Sequence, residues 1–265
     1  QVANSSVNQG AAFIVTSLAE ARRRGIPDER LVHIGYGAAA HESGNFLARD
    51  RYDHSPSLAT SIERAMALNE IGTNDLAHVE LYSCFPCVPK MARRVLDWPI
   101  EKPVTVFGGL TFGGGPIGNY MSHAVVAMAE KLRGSDGRGL LFANGGYATH
   151  NHAIMLSGAP TGAHFPQDFD YQTEADGRRG EVPPIDEDYA GPAVIETYTV
   201  HYDRAGSPKS GVIVALTPNG SRTLAKVPAD DGETIAFLTD GRCEPVGASG
   251  NIERRRDGLA LWQRS

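Results

Sequence analysis

The stretch Val104–Arg133, VTVFGGLTFGGGPIGNYMSHAVVAMAEKLR, decides the fold. A short β-branched run, Val104 and Val106, leads into a loop that carries Gly108, Gly109, Gly113, Gly114 and Gly115, then Pro116 and Gly118. An amphipathic helix follows, because Met121, Ala124, Val125, Met128 and Leu132 recur at a spacing that puts them on one helical face. Asn119 stands where its N-cap belongs. Glycine serves where backbone approaches a neighbour closely or takes positive φ, and a helix start offers free N–H groups. The stretch therefore predicts a pocket wall.

Around it, 265 residues leave room for one or two domains and a sizeable core. A formal net charge of −6 argues against a general nucleic-acid partner, which needs a basic face. The basic clusters Arg22–Arg24 and Arg254–Arg256 read as solvated surface. Three cysteines and the lack of a secretory or membrane-spanning apolar run predict a reducing, cytoplasmic setting with no membrane span. The sequons at Asn4 and Asn219 then carry no glycan. The chain opens at Gln1 in what reads as the start of a helix, and the expectation is a processed chain or one piece of a longer polypeptide.

Helix periodicity runs from Ser6 to Arg24 and stops at Gly25, and Leu31–Tyr36 reads as a buried strand. Gly37–Ser55 reads as a polar loop. Leu58–Glu70 is helical, Val79–Tyr82 a short strand, and Pro89–Leu96 a helix with proline near its first turn. Gly139–Asn144 and Ala153–Ser157 read as neighbouring central strands joined by a turn. Such alternation means a layered α/β domain. Between Ala159 and Pro192 prolines, glycines and acids replace any periodicity, so a linker or an embracing segment is expected. Beyond it, β-type runs at 194–203, 210–217 and 221–227, a short helix at 231–238 and two last strands make a small β-domain, with a hairpin signal at Asn219-Gly220. The expected division is 1–158, a linker 159–191, and 192–265.

Three motifs carry chemistry. Gly113, Gly115 and Gly118 form a G-x-G-x-x-G, but the strand does not abut it and the next strand ends in Phe142-Ala143-Asn144 with no acid for a ribose, so a dinucleotide site is not expected. Cys84 and Cys87 form a C-x-x-C with no second pair to complete a zinc set, and no metal is expected. His150 and His152 sit in the turn between the two central strands, at a strand end where α/β sheets bind ligands.

VNQGAAFIVTS, VELYSCFP, GGLTFGGGPIGNY and ANGGYATH together resemble the second half of a thiolase, and more closely the acetyl-CoA acetyltransferase-like proteins with an extra C-terminal domain (thiolase-like protein type 1). The resemblance spans about residues 6–158, and the tail from about 192 is similar to that family's additional, OB-like domain. It implies an α/β fold, the second half of a thiolase-type layered αβαβα domain followed by a small OB-like β-barrel. It also implies a first half as partner, in the same polypeptide or a second chain, an acyl-CoA ligand, and the possibility of a homo-oligomer. No cofactor beyond the CoA thioester is implied.

Thiolases activate a nucleophilic cysteine with a histidine in G-H-P, hold a water with an N-E-A-F-type asparagine, and use a second cysteine in C-x-G as acid and base. Thiolate generation and oxyanion stabilisation require such groups. Here G-H-P reads Gly114-Gly115-Pro116, N-E-A-F reads Tyr82-Ser83-Cys84-Phe85, and C-x-G reads Ala143-Asn144-Gly145. The resemblance makes these ten residues the candidate substrate site, less Cys84, which with His150 and His152 is a candidate stand-in for the missing acid and base. The expected function is a thiolase-like acyltransferase-family protein of lipid metabolism that binds acetyl-CoA or another acyl-CoA. The alternative is a non-catalytic acyl-CoA- or lipid-binding scaffold that uses the OB-like tail for a partner protein. A nucleic-acid reading of the tail rests only on Tyr198, Tyr202, Trp262 and Arg254–Arg256, and the acidic charge disfavours it.

Overall fold

The computed structural model describes residues 3–264. In chain order its regular elements are α1 (Leu18–Arg23), β1 (His33–His41), α2 (Pro56–Leu68), β2 (Leu76–Tyr82), α3 (Cys87–Leu96), α4 (Gly109–Gly113), α5 (Tyr120–Leu132), β3 (Arg138–Gly145), β4 (His150–Ser157), α6 (Gln172–Gly177), β5 (Gly191–Tyr202), β6 (Pro208–Leu216), β7 (Arg222–Val227), α7 (Gly232–Thr239), β8 (Ser249–Arg254) and β9 (Ala260–Arg264). They fall into two units. The first holds the residues up to Gly44 together with Asp53–Arg179, and the second Asn45–Tyr52 and the chain from Gly180 on.

The first unit is built on a four-stranded sheet of order β1-β4-β3-β2. β1 and β3 run antiparallel to β4, and β2 runs parallel to β3. The registers line up one row across all four strands: Tyr82, Ala143, His152 and Ala39. One face packs on α2 and α3, where Leu58, Ile62, Val88 and Ala92 meet Val79, Leu81, Leu140, Phe142 and Met155. The other packs on α5, where Ala124, Met128 and Leu132 meet Leu141 and Leu156. Helix on sheet on helix buries both faces of the apolar strands, as a layered α/β domain requires. α2 begins as its sequence dictates, with the Ser55 side chain accepting from Leu58 N–H and Pro56 in the first turn.

The second unit is a closed barrel, β5-β6-β7-β9-β8, with Ile195, Ile213, Ala215, Val227, Ile252 and Trp262 in its core and α7 packed on it through Phe237 and Leu238. The 219–220 hairpin joins β6 to β7 as expected. Arg222, fully buried, holds Asn45–Tyr52 to this barrel: Nη1 donates to the carbonyls of Leu47 and Arg49, both at 2.5 Å. The same guanidinium pairs with Glu196 and lies over the Tyr52 ring.

Four expectations are corrected. The helix expected from Ser6 shrinks to α1, capped by Ser17, because Phe13, Ile14 and Val15 find no buried surface to pack on among the described residues. An amphipathic helix draws most of its stability from such packing. The loop expected from Gly37 is instead the second half of β1. There Gly37 admits no Cβ without striking the Ala153 carbonyl and the Phe169 ring, so close approach chose glycine where propensity alone reads a loop. Val104 and Val106 form no strand, and the linker contains α6.

Candidate functional site

The carboxyl ends of β2 and β3 lie side by side, and each runs into a polar turn. Ser83 and Asn144, both buried, bind each other across the gap at 2.8 Å. The Asn144 amide is satisfied with its nitrogen donating to Ser83 Oγ and to the Gly146 carbonyl at 2.7 Å, and its oxygen accepting from the N–H groups of Ala148 and Gly145. Ser83 Oγ also accepts from Phe85 N–H at 3.0 Å. From β4, Asn151 donates to the Ala148 carbonyl at 2.9 Å and to Ser57 Oγ at 2.8 Å. Ser57 N–H and Ser55 Oγ in turn donate to the buried Glu42 carboxylate, which Arg179 also holds. Two buried amides thus fix the 145–149 turn from both of its strands, because a buried amide left unpaired is costly.

A second device fixes the base of the glycine loop. Glu80 is buried in the middle of β2, and its carboxylate accepts from Thr105 Oγ1, from Val106 N–H at 2.9 Å, from Phe107 N–H at 3.1 Å and from Tyr120 OH at 2.8 Å. Thr105 Oγ1 receives Gly108 N–H at 2.8 Å and Gly109 N–H at 3.1 Å. Burial, with the Glu80 charge beside it, pushes the Tyr120 phenol above its ordinary range. Aromatic rings close the gap between loop and strand end: Tyr82 stacks on Tyr120 at 4.1 Å and Phe107 meets Tyr120 edge-on at 5.3 Å. Burial also pushes the Tyr82 hydroxyl up, and Cys84 adds to it. Sequence reasoning missed Glu80; a carboxylate inside the apolar run Val79–Tyr82 was the available signal.

A family comparison identifies residues 174–258 as "Thiolase-like protein type 1 additional C-terminal domain". The whole chain is similar to the crystal structure of a monomeric SCP2-thiolase like protein type 1 from Mycobacterium smegmatis, at 30% identity and a TM-score of 0.80 over 94% of this chain. The chain belongs to the thiolase-like superfamily. It spans about half, 54%, of that structure's chain. Human mitochondrial 3-ketoacyl-CoA thiolase is a weaker likeness, 18% identical over 56% of this chain and 34% of that one, with a TM-score of 0.43. Among curated proteins, none matches by sequence.

In this thiolase-like chain the structure brings some candidate residues together and keeps others apart. Tyr82, Ser83, Ala143, Asn144 and Gly145 share the ends of β2 and β3. Phe85 stands edge-on to Tyr147 at 5.5 Å. Cys84 is half-buried with a free thiol just past β2. His150 and His152 lie on the open face of β4 and not in the turn before it, because their pairing with β1 and β3 extends the strand to them; partial desolvation of the His152 ring, with His150 next to it, lowers its pKa. β3 lies between the strands that carry Cys84 and the two histidines. Gly114, Gly115 and Pro116 follow α4 and face the beginning of the described chain. Gly115 N–H donates to the Asn4 carbonyl at 2.7 Å, and Gln9 donates to the Gly113 carbonyl. Gly114 has φ +62°, and a Cβ there would strike Val7, so only glycine fits.

Proposed function

We propose that this chain is the second half of a thiolase-like protein that binds an acyl-CoA thioester at the strand ends of its first unit. The ligand contacts are assigned to Tyr82, Ser83 and Phe85, to Gly114–Pro116, and to Ala143–Gly145. The bond between Ser83 and Asn144 carries the reading, since it fixes the two turns that the family resemblance assigns to the cleft. Preorganised polar turns at strand ends are where a thioester carbonyl finds donors without reorganisation. Glycine at 115 cannot accept a proton and alanine at 143 cannot donate one, so carbon–carbon bond chemistry by this half falls to Cys84, His150 or His152.

The first unit presents Ile14, Phe112 and Ile117 to solvent at 93, 76 and 90% exposure, and these apolar side chains are assigned to the face that a first thiolase half covers. The domain division at 159–191 and a cytoplasmic location are part of the same proposal. Among the described residues, no helix is long and apolar enough to cross a membrane.

Calorimetry with acetyl-CoA and acetoacetyl-CoA, beside a thiolysis assay on a polypeptide that includes a first half, tests the reading. Binding weakened by Asn144→Ala supports the site. Turnover lost in Cys84→Ala makes the protein an enzyme, and binding without turnover makes it the scaffold alternative. No binding of either thioester refutes the proposal.

A further inference from the structure

β1 is the outermost strand at one side of the first unit's sheet, and its sequence from His33 to His41 reads HIGYGAAAH. An uncovered sheet edge presents a row of free N–H and C=O groups, and proteins blunt such edges with charges, prolines or a covering segment. β1 contains no Lys, Arg, Asp, Glu or Pro, so its own residues supply neither of the first two. The covering segment is residues 161–172, which run along the edge that β4 leaves open, with Asp170 in parallel register beside Ala39.

Two glutamine side chains and one stretch of backbone do the covering. The Gln167 amide accepts from Gly37 N–H at 2.8 Å and donates to the Gly35 carbonyl at 3.2 Å. Ala39 N–H donates to the Phe169 carbonyl at 2.6 Å, and the Ala39 carbonyl accepts from Tyr171 N–H at 3.0 Å. The Gln172 amide accepts from His41 N–H at 2.7 Å and donates to the His41 carbonyl at 3.0 Å. A primary amide offers the same donor and acceptor as a peptide group, so each glutamine stands in for part of a neighbouring strand.

The outer side of the segment is closed in turn. The Asp168 carboxylate accepts from Asp170 N–H at 2.9 Å, and the Asp170 carboxylate accepts from Gln172 N–H at 2.8 Å. Both N–H groups are consumed locally, and Pro166 has none to offer. Asp168 and Asp170 are exposed, so a strand approaching from outside meets two acidic side chains in place of free donors. An uncharged edge has been exchanged for an acidic one.

We propose that β1 is a latent docking strand for a second copy of this chain, and that residues 161–172 are an autoinhibitory strap over it. β1 is complementary to itself. Antiparallel pairing about a two-fold axis at Gly37 sets Ile34 against Ala40, Gly35 against Ala39 and Tyr36 against Ala38, with His33 and His41 at the ends. The inner pairs bring no two bulky side chains and no like charges together. Gly35, Gly37, Ala39 and His41, which now bond the strap, are the residues that exchange N–H and C=O across such an axis. The strap is held mainly through the Gln167 and Gln172 side chains, which rotate away without breaking a backbone ladder. None of this rests on the thioester reading.

The test is Gln167→Ala/Gln172→Ala in the full chain, compared with the parent at equal concentration by light scattering and amide hydrogen exchange. Exchange at Gly37 and His41 rises by about tenfold or more, and the variant's mass moves toward twice the parent's as concentration rises. The synthetic peptide TGAHFPQDFDYQ, the strap itself, reverses the association in trans. Ala39→Pro in the same background reverses it too, since proline withdraws a pairing N–H from the open edge. Far-ultraviolet dichroism checks the fold, and Gln167→Ala alone, which keeps the Gln172 pair, moves exchange and mass in the same direction. Faster exchange at Gly37 and His41 with the mass unchanged overturns the docking strand. Association that neither the peptide nor Ala39→Pro reverses belongs to another surface and overturns it as well. Unchanged exchange at both amides removes the strap.

Discussion

Glu80 is where a single substitution separates the loop from the sheet. Its carboxylate receives the hydroxyls of Thr105 and Tyr120 and the N–H groups of Val106 and Phe107 while being 1% exposed. Glu80→Ala removes every one of these acceptors. Each buried donor left unpaired costs about 1–3 kcal/mol, but Thr105 Oγ1 retains Gly108 and Gly109, and Tyr120 can tilt. The net loss is therefore about 3–5 kcal/mol, the range for stripping one side of a buried charged network. Glu80→Gln behaves differently. Its remaining oxygen accepts from the Val106 and Phe107 amides and the Thr105 hydroxyl, while its NH₂ donates to the Tyr120 hydroxyl, which can accept. It loses only the charge assistance, about 1 kcal/mol. Amide hydrogen exchange reads this locally, without assuming that the two units unfold together. The amides of residues 106–109 exchange about a hundredfold or more faster in Glu80→Ala, up to the limit of global stability, and about fivefold faster in Glu80→Gln. Unchanged protection at 106–109 in Glu80→Ala, or equal effects of the two substitutions, refutes the reasoning.

Three further outcomes follow from the same kind of argument. Arg222→Ala leaves Glu196 and the Leu47 and Arg49 carbonyls without their shared cation, and urea unfolding followed by Trp262 fluorescence shows a loss of about 3–5 kcal/mol in the barrel. Gly35→Ala drives a Cβ into the Asn69 amide that caps the β1 backbone and against Met155; the unfolding free energy of the first unit, read from urea titration, falls by about 1–3 kcal/mol, and no change counts against the register of β1. Burial, with Lys131 nearby, lowers the pKa of His78 in the fold, so the unfolded chain takes up that proton more readily. Native stability then falls as pH drops below about 6.5 and is untouched above the ordinary histidine range. Comparing urea midpoints at mildly acid and neutral pH, His78→Gln shows a smaller drop than the parent, and an identical drop removes His78 from the account.

Periodicity and punctuation in the sequence settled the type of the elements whose signals are local. The α2, α5, β3, β4 and barrel-strand patterns are local: an apolar spacing, a Ser55-Pro56 start or an Asn219-Gly220 turn acts within a few residues and needs no partner to be read. The glycine stretch and the ANGGYATH turn marked the strand-end region for the same reason. What the sequence left open depends on residues distant in the chain. Gly37 belongs to a strand because Ala153 and Phe169 come too close for any side chain, which no local propensity records. The apolar residues near Ile14 show helical spacing yet make no helix without a surface to pack on. Glu80 is a clamp only because β2 carries it beneath Thr105 and Tyr120, and Asn144 and Ser83 become one device only when β2 and β3 pair. His41 joins His150 only through the antiparallel register of β1 and β4. Local sequence sets which backbone shapes are cheap; which side chains meet across them is decided by strand pairing and burial, and those are properties of the folded chain alone.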